Sequence, residues 1–68
     1  MDRDTLEGII SEEAMFASYS IEEHKYDWKV TTFRKSVGCM TLKVLISYKD
    51  FRELRMNDIG NIVLYFDR

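Results

Sequence analysis

Between Met40 and Tyr48 the chain reads Met-Thr-Leu-Lys-Val-Leu-Ile-Ser-Tyr. Met40, Leu42, Val44, Ile46 and Tyr48 fall on one side of an extended backbone, and Thr41, Lys43, Leu45 and Ser47 on the other. A pleated strand repeats every two residues, so this alternation predicts a half-buried strand. Burying each inner side chain stabilises the fold by about 1.5–3 kcal/mol. A slip of one residue would bury Lys43 and expose the apolar row, which ties the register to the pattern. Leu45 is the odd member. It is apolar on the outer face, so it is expected either beneath a helix or on a contact surface.

The flanking segments are read around that strand. Residues 26–35 carry Tyr26, Trp28, Val30 and Thr32 on one face, residue types that favour strands. Ser36-Val37-Gly38-Cys39 would supply the turn of a hairpin joining 26–35 to 39–47, with Gly38 free to take a positive φ. Ser47 can then cap a short helix in which Tyr48, Phe51, Leu54 and Arg55 follow helical spacing and Asn57 closes the end. Asp58-Ile59-Gly60-Asn61 reads as a turn with Gly60 at the position that needs φ > 0. Residues 61–67 are a strand. The unbroken apolar run Ile62–Phe66 places it centrally or covers both its faces. The 13-residue connection before it would permit a crossover, with the last strand parallel to the middle one.

The N-terminal third predicts a helix from about residue 4 to 18. Asp4 and Glu7 form a capping box, and Leu6, Ile9, Ile10, Ala14 and Ala17 share a face. Ser11 is a competing cap, with Ile10 and Met15 as a hydrophobic staple, and Gly8 would weaken a continuous helix by about 1 kcal/mol. Met15, Ala17, Tyr19 and Ile21 also alternate, so a strand over 15–22 forming a hairpin with 26–34 is the other reading of that stretch. The expected fold class is α+β: an N-terminal helix, then a small, mainly antiparallel sheet of three to four strands, with a short helix before the last strand.

Size bounds the rest. A chain of 68 residues makes one domain with a marginal core, and domains this small often add a disulfide, a metal or a partner subunit. Cys39 is the only cysteine and His24 the only histidine, which leaves neither an internal disulfide nor a usual zinc set. A compact core alone, or self-association, is what remains. No run of about 18 apolar residues offers a membrane span, the N-terminus has no apolar signal core, and one unpaired Cys suits a reducing compartment, so a cytoplasmic location is expected.

Motifs for chemistry are sparse. His24 sits beside Glu22, Glu23 and Asp27, yet no nucleophile motif lies near it, and a solvated loop histidine is the expectation. Cys39 is expected to be a small packing residue. Gly8, Gly38 and Gly60 stand alone and build no phosphate loop. No catalytic residue, metal or cofactor is expected, and the chain reads as a non-enzyme.

Charge is the informative signal. The net charge is only −2, but residues 1–24 hold seven acids against Arg3, and residues 25–56 hold eight bases against three acids. Such segregation commonly reflects an acidic helix lying near a basic sheet, the two neutralising each other. Its functional alternative is a docking surface. The leading expectation is a small stand-alone regulator or inhibitor of a larger protein, of the physical type of tiny acidic proteins in bacterial viruses and mobile elements. It would act through Glu12, Glu13, Glu22 and Glu23, or through a sheet face carrying Leu45. A nucleic-acid module is the alternative, using Lys29, Phe33, Arg34, Lys35 and Lys43 with Phe33 as a stacking platform. A homodimer formed through strand 61–67 or the outer face of the sheet is the third.

Overall fold

The computed structural model describes residues 1–14, 16, 18–33 and 38–68. The fold class is the expected α+β. Helix α1 (Arg3–Gly8) runs into a π-helical segment (Ile9–Glu13). There follow β1 (Tyr19–Glu23), β2 (Asp27–Thr32), α2 (Cys39–Ile46), β3 (Phe51–Met56) and β4 (Ile62–Asp67). The strands form one sheet in the order β1-β2-β4-β3, and every pairing is antiparallel. The parallel crossover does not occur.

The N-terminal helix starts earlier than its capping box suggests. Asp2, not Asp4, is the N-cap, and its Oδ1 accepts from the Thr5 N–H at 2.8 Å. Hydrogen bonds from Thr5, through the side chain and then the backbone, hold the Asp2 carboxyl below its ordinary value. Asp4 instead sits in the first turn, where a carboxylate suits the positive end of the helix dipole. Gly8 does not break the helix, since its backbone is right-handed helical. What changes after it is the winding: the Ala14 N–H donates to Ile9 O at 2.8 Å, a bond spanning five residues. Leu6, Ile9, Ile10 and Ala14 all turn inward. Ser11 donates its hydroxyl back to Glu7 O and is no cap. The Phe16 N–H donates to Ile10 O at 3.1 Å, and the Phe16 side chain is buried. Met15 and Ala17, to which the sequence assigned a staple and a helix face, lie outside the described residues.

Two expected elements exchange identity. The segment read as the middle strand is helix α2, and the segment read as a helix is strand β3. The hairpin of 26–35 with 39–47 is therefore absent. The hairpin partner of β2 is β1, the pairing offered by the second reading of the N-terminal third, with Ile21 opposite Val30. Gly38 has φ −64° and is the N-cap of α2, so it needs no positive φ. Ser47 ends α2 and starts no helix. Tyr26 is exposed in the β1–β2 turn and does not share the inner face with Trp28.

Burial along α2 explains the change. Thr41, Leu42, Val44, Leu45 and Tyr48 are the less exposed positions, while Cys39, Met40, Lys43, Ile46 and Ser47 are exposed. That is the i, i+1, i+3, i+4, i+7 pattern of a helix face, with Leu45 at its centre. In β3 the opposite confusion operates. Phe51 and Leu54 are three apart and would lie on opposite faces of a regular strand. A bulge between Phe51 and Glu53 inserts one residue, so Phe51 faces Phe66 and Leu54 faces Leu64 on the same side.

The β3–β4 turn is as expected. Gly60 takes φ +87°, the Gly60 N–H donates to Asn57 O at 3.0 Å, and the Asn57 N–H donates to Asn61 O at 3.0 Å. Asn57 Oδ1 accepts from the N–H groups of Ile59 and Asn61, so Asn57 organises this turn and ends no helix. Gly60→Ala forces a Cβ into left-handed backbone and is expected to cost about 1–2 kcal/mol, read as a lower urea midpoint with an unchanged slope.

The sheet has one packed face. Trp28, Val30 and Thr32 of β2 and Ile62, Leu64 and Phe66 of β4 pack with Leu6, Ile9, Ile10, Ala14, Phe16 and Leu45. β4 lies between β2 and β3, as its unbroken apolar run requires. Thr32 satisfies its buried hydroxyl by donating to Ile62 O at 3.1 Å. The Trp28 Nε1–H donates to Met1 O at 3.0 Å, which fastens the N-terminus over the end of the core. No helix among the described residues is long and apolar enough to cross a membrane.

Candidate functional site

The outer sheet face is a network of ion pairs. The register sets Asp27 of β2 directly opposite Asp67 of β4, a like-charge pairing that destabilises a sheet on its own. Arg52 lies at the bulge of β3, and its guanidinium reaches both carboxylates, with Nη1 3.2 Å from Asp27 Oδ2 and Nε 3.8 Å from Asp67 Oδ1. The same face carries Lys29 with Glu22 at 3.9 Å, and Arg55 with Glu53 at 3.1 Å. Arg55 also stands over the Tyr65 ring, 5.7 Å from its centroid. At the sheet's end Arg68 binds Glu23 at 2.7 Å, covers the Trp28 ring and donates to His24 O.

These pairs revise the account of the segregated charge. Among the described residues, the bases of the sheet are matched by acids of the sheet, and the one ion pair of the N-terminal helix is internal, Arg3 with Glu7 at 3.2 Å. Glu22 and Glu23, two of the four acids assigned to docking, are engaged on β1. Glu12 and Glu13 project from the π-helical segment into water. The four are thus two pairs in different environments.

Leu45 is no surface residue. It is fully buried at the centre of the inward face of α2, so the contact role assigned to it gives way to a core role. The basic aromatic set is dispersed. Lys29 lies on the outer sheet face, whereas Lys43 lies on α2, which packs through Leu45 on the opposite face. Phe33 is exposed just beyond β2, and Arg34 and Lys35 lie outside the described residues. Cys39 is exposed at the first turn of α2 instead of packed. His24 is an exposed loop residue, with Nδ1 3.3 Å from Asp27 and Nε2 3.6 Å from Glu22. Among the described residues there is no enclosed pocket, and no group of three or more His, Cys, Asp or Glu side chains suited to hold a metal.

Sequence reasoning missed the exposed apolar side chains created by the exchange of elements. Met40 is 73% exposed and Ile46 52% exposed, on either side of Lys43 along the solvent arc of α2. On β3, Leu54 is 40% and Met56 63% exposed. Both stand on the packed face of the sheet, but at its edge. The alternating pattern had placed Met40 and Ile46 in the core. The signal that finds them is the helical spacing of Leu42, Leu45 and Tyr48. No family model, curated protein or solved structure matches the chain.

Proposed function

We propose that this chain is a non-enzymatic protein-binding module, a regulator or inhibitor that docks on a larger protein through the solvent side of α2. The observation that carries the reading is the exposure of Met40 and Ile46 around Lys43 on a helix anchored beneath by Leu45. Burying each of those two side chains in a partner would contribute about 1.5–3 kcal/mol toward association. A helix presenting apolar anchors to an apolar groove is a recurring mode of recognition. Glu12 and Glu13, without a cation within ion-pair distance among the described residues, would steer the chain toward a basic rim on that partner.

The test is affinity capture from the native cell, comparing the wild-type chain with Met40→Lys/Ile46→Lys. Lysine keeps helix propensity and both positions face water, so the variant should fold. Recovery of the specific partner should fall at least about ten-fold, the equivalent of roughly 1.4 kcal/mol. Glu12→Lys/Glu13→Lys should reduce the association rate and its salt dependence more than the dissociation rate. Undiminished recovery by the Met40/Ile46 variant would remove α2 as the docking face.

A further inference from the structure

We infer that the chain forms a two-fold symmetric dimer by edge-to-edge pairing of β3, centred on Leu54. β3 is an edge of the sheet, with β4 on one side only. The Asn57 N–H donates to Asn61 O, which makes 57 and 61 a hydrogen-bonded pair. Antiparallel alternation then turns the N–H and C=O of Arg55 and Glu53 toward β4 as well, and those of Leu54 and Met56 toward the open edge. The bulge lies between Phe51 and Glu53, so the backbone from Glu53 to Met56 is regular enough to accept another strand. Leu54 and Met56 are exposed on this edge.

Charge chooses the occupant and the register. Glu53 and Arg55 flank Leu54 and both face the outer side of the sheet, where they pair with each other at 3.1 Å. A two-fold axis through Leu54 sets Leu54 against its own copy and sets each Glu53 opposite the Arg55 of the other chain. The result is a four-membered ring of alternating charge above a leucine pair. Moving the axis to Glu53 or to Arg55 brings like charges face to face, which destabilises antiparallel pairing. Edge strands normally carry charge to discourage association. Here the sequence Glu-Leu-Arg repels the symmetric registers on either side of Leu54, and a register centred on Met56 sets Arg55 opposite Asn57 and so forms no such ring. The regular edge is short and the contact small, so the dimer belongs with the weak, concentration-dependent class.

Sedimentation equilibrium over roughly 10–500 µM, the range suited to weak association, should show the wild type passing from monomer to dimer. Glu53→Arg alone and Arg55→Glu alone should each remain monomeric with an unchanged circular dichroism spectrum. The double variant Glu53→Arg/Arg55→Glu restores the alternation and should dimerise like the wild type. An equimolar mixture of the two single variants should form a heterodimer, because one then presents only cations at these positions and the other only anions. A wild type that stays monomeric throughout overturns the inference. So does a single variant that dimerises as well as the wild type, or a mixture that fails to associate.

Discussion

Leu45→Asp is expected to abolish folding, whereas Val44→Asp should leave a folded, weakened protein. Leu45 is fully buried in the cluster formed by the sheet and the N-terminal helix. Truncating such a leucine costs about 2–5 kcal/mol, and an unpaired buried carboxylate adds several more. At about 0.05–0.15 kcal/mol per residue, a chain of this length holds only about 3–10 kcal/mol in total. Val44 is partly exposed at the margin of the inward arc, where an aspartate can reach water. An extended segment would reverse the order, with Val44 inside and Leu45 outside. Far-UV circular dichroism and urea melts of the two variants therefore report directly on whether 39–46 is a helix.

Phe66→Ala is the second large effect. Phe66 lies on β4, inside the sheet, and is fully buried. Its register partners on the packed face are Trp28 of β2 and Phe51 of β3, and the Phe51 ring meets it edge to face at 5.7 Å between centroids. Removing the ring opens a cavity beneath both neighbours and should cost about 3–5 kcal/mol, a large share of the total stability. Phe66→Leu keeps part of the volume and should stay within the ordinary range of about 0.5–3 kcal/mol. The midpoint of urea unfolding orders the three proteins as wild type, Phe66→Leu, Phe66→Ala. If alanine and leucine proved equally mild, the core would not converge on this ring.

The legible parts of the fold are those with one consistent physical signal. Ile62–Phe66 is apolar at every position, and only an internal strand accommodates that. Gly60 stands where the turn needs a left-handed residue. Trp28 and Val30 alternate with polar neighbours and lie on the packed face. The illegible parts are those where two periods fit the same residues. Met40–Tyr48 alternates, but Thr41, Leu42, Val44, Leu45 and Tyr48 also satisfy helical spacing. Leu45, the apolar residue that the strand reading had to place outside, is the one that decides between them. In β3 the spacing of Phe51 and Leu54 mimics a helix because a bulge shifts the pleat, and no local residue announces it. Phe16 enters the core just beyond the π-helical segment, a placement that residue spacing does not reveal.

The candidate surfaces follow from the same exchange. Reading 39–46 as a strand hides Met40 and Ile46 and exposes Leu45; the helix inverts all three. Reading 48–57 as a helix conceals a sheet edge; the strand leaves Leu54 and Met56 open, with Glu53 and Arg55 flanking Leu54. The acids of the sequence are unevenly distributed. Pairing across the sheet engages Glu22 with Lys29 and Glu23 with Arg68, while Arg52 links Asp27 and Asp67. Glu12 and Glu13 are thereby separated from the other two acids first grouped with them.

Through-space proton contacts in the NMR spectrum of the labelled protein address the exchange of elements directly. Leu54 and Leu64 face each other as a non-hydrogen-bonded antiparallel pair, the geometry with the shorter Cα separation of about 4.5 Å. A strong Hα–Hα contact between Leu54 and Leu64 is therefore expected, together with contacts from residue i to i+3 along Cys39–Ile46. Hα–Hα contacts joining residues 26–35 to residues 40–48, with none between Leu54 and Leu64, would contradict the fold and both surfaces derived from it.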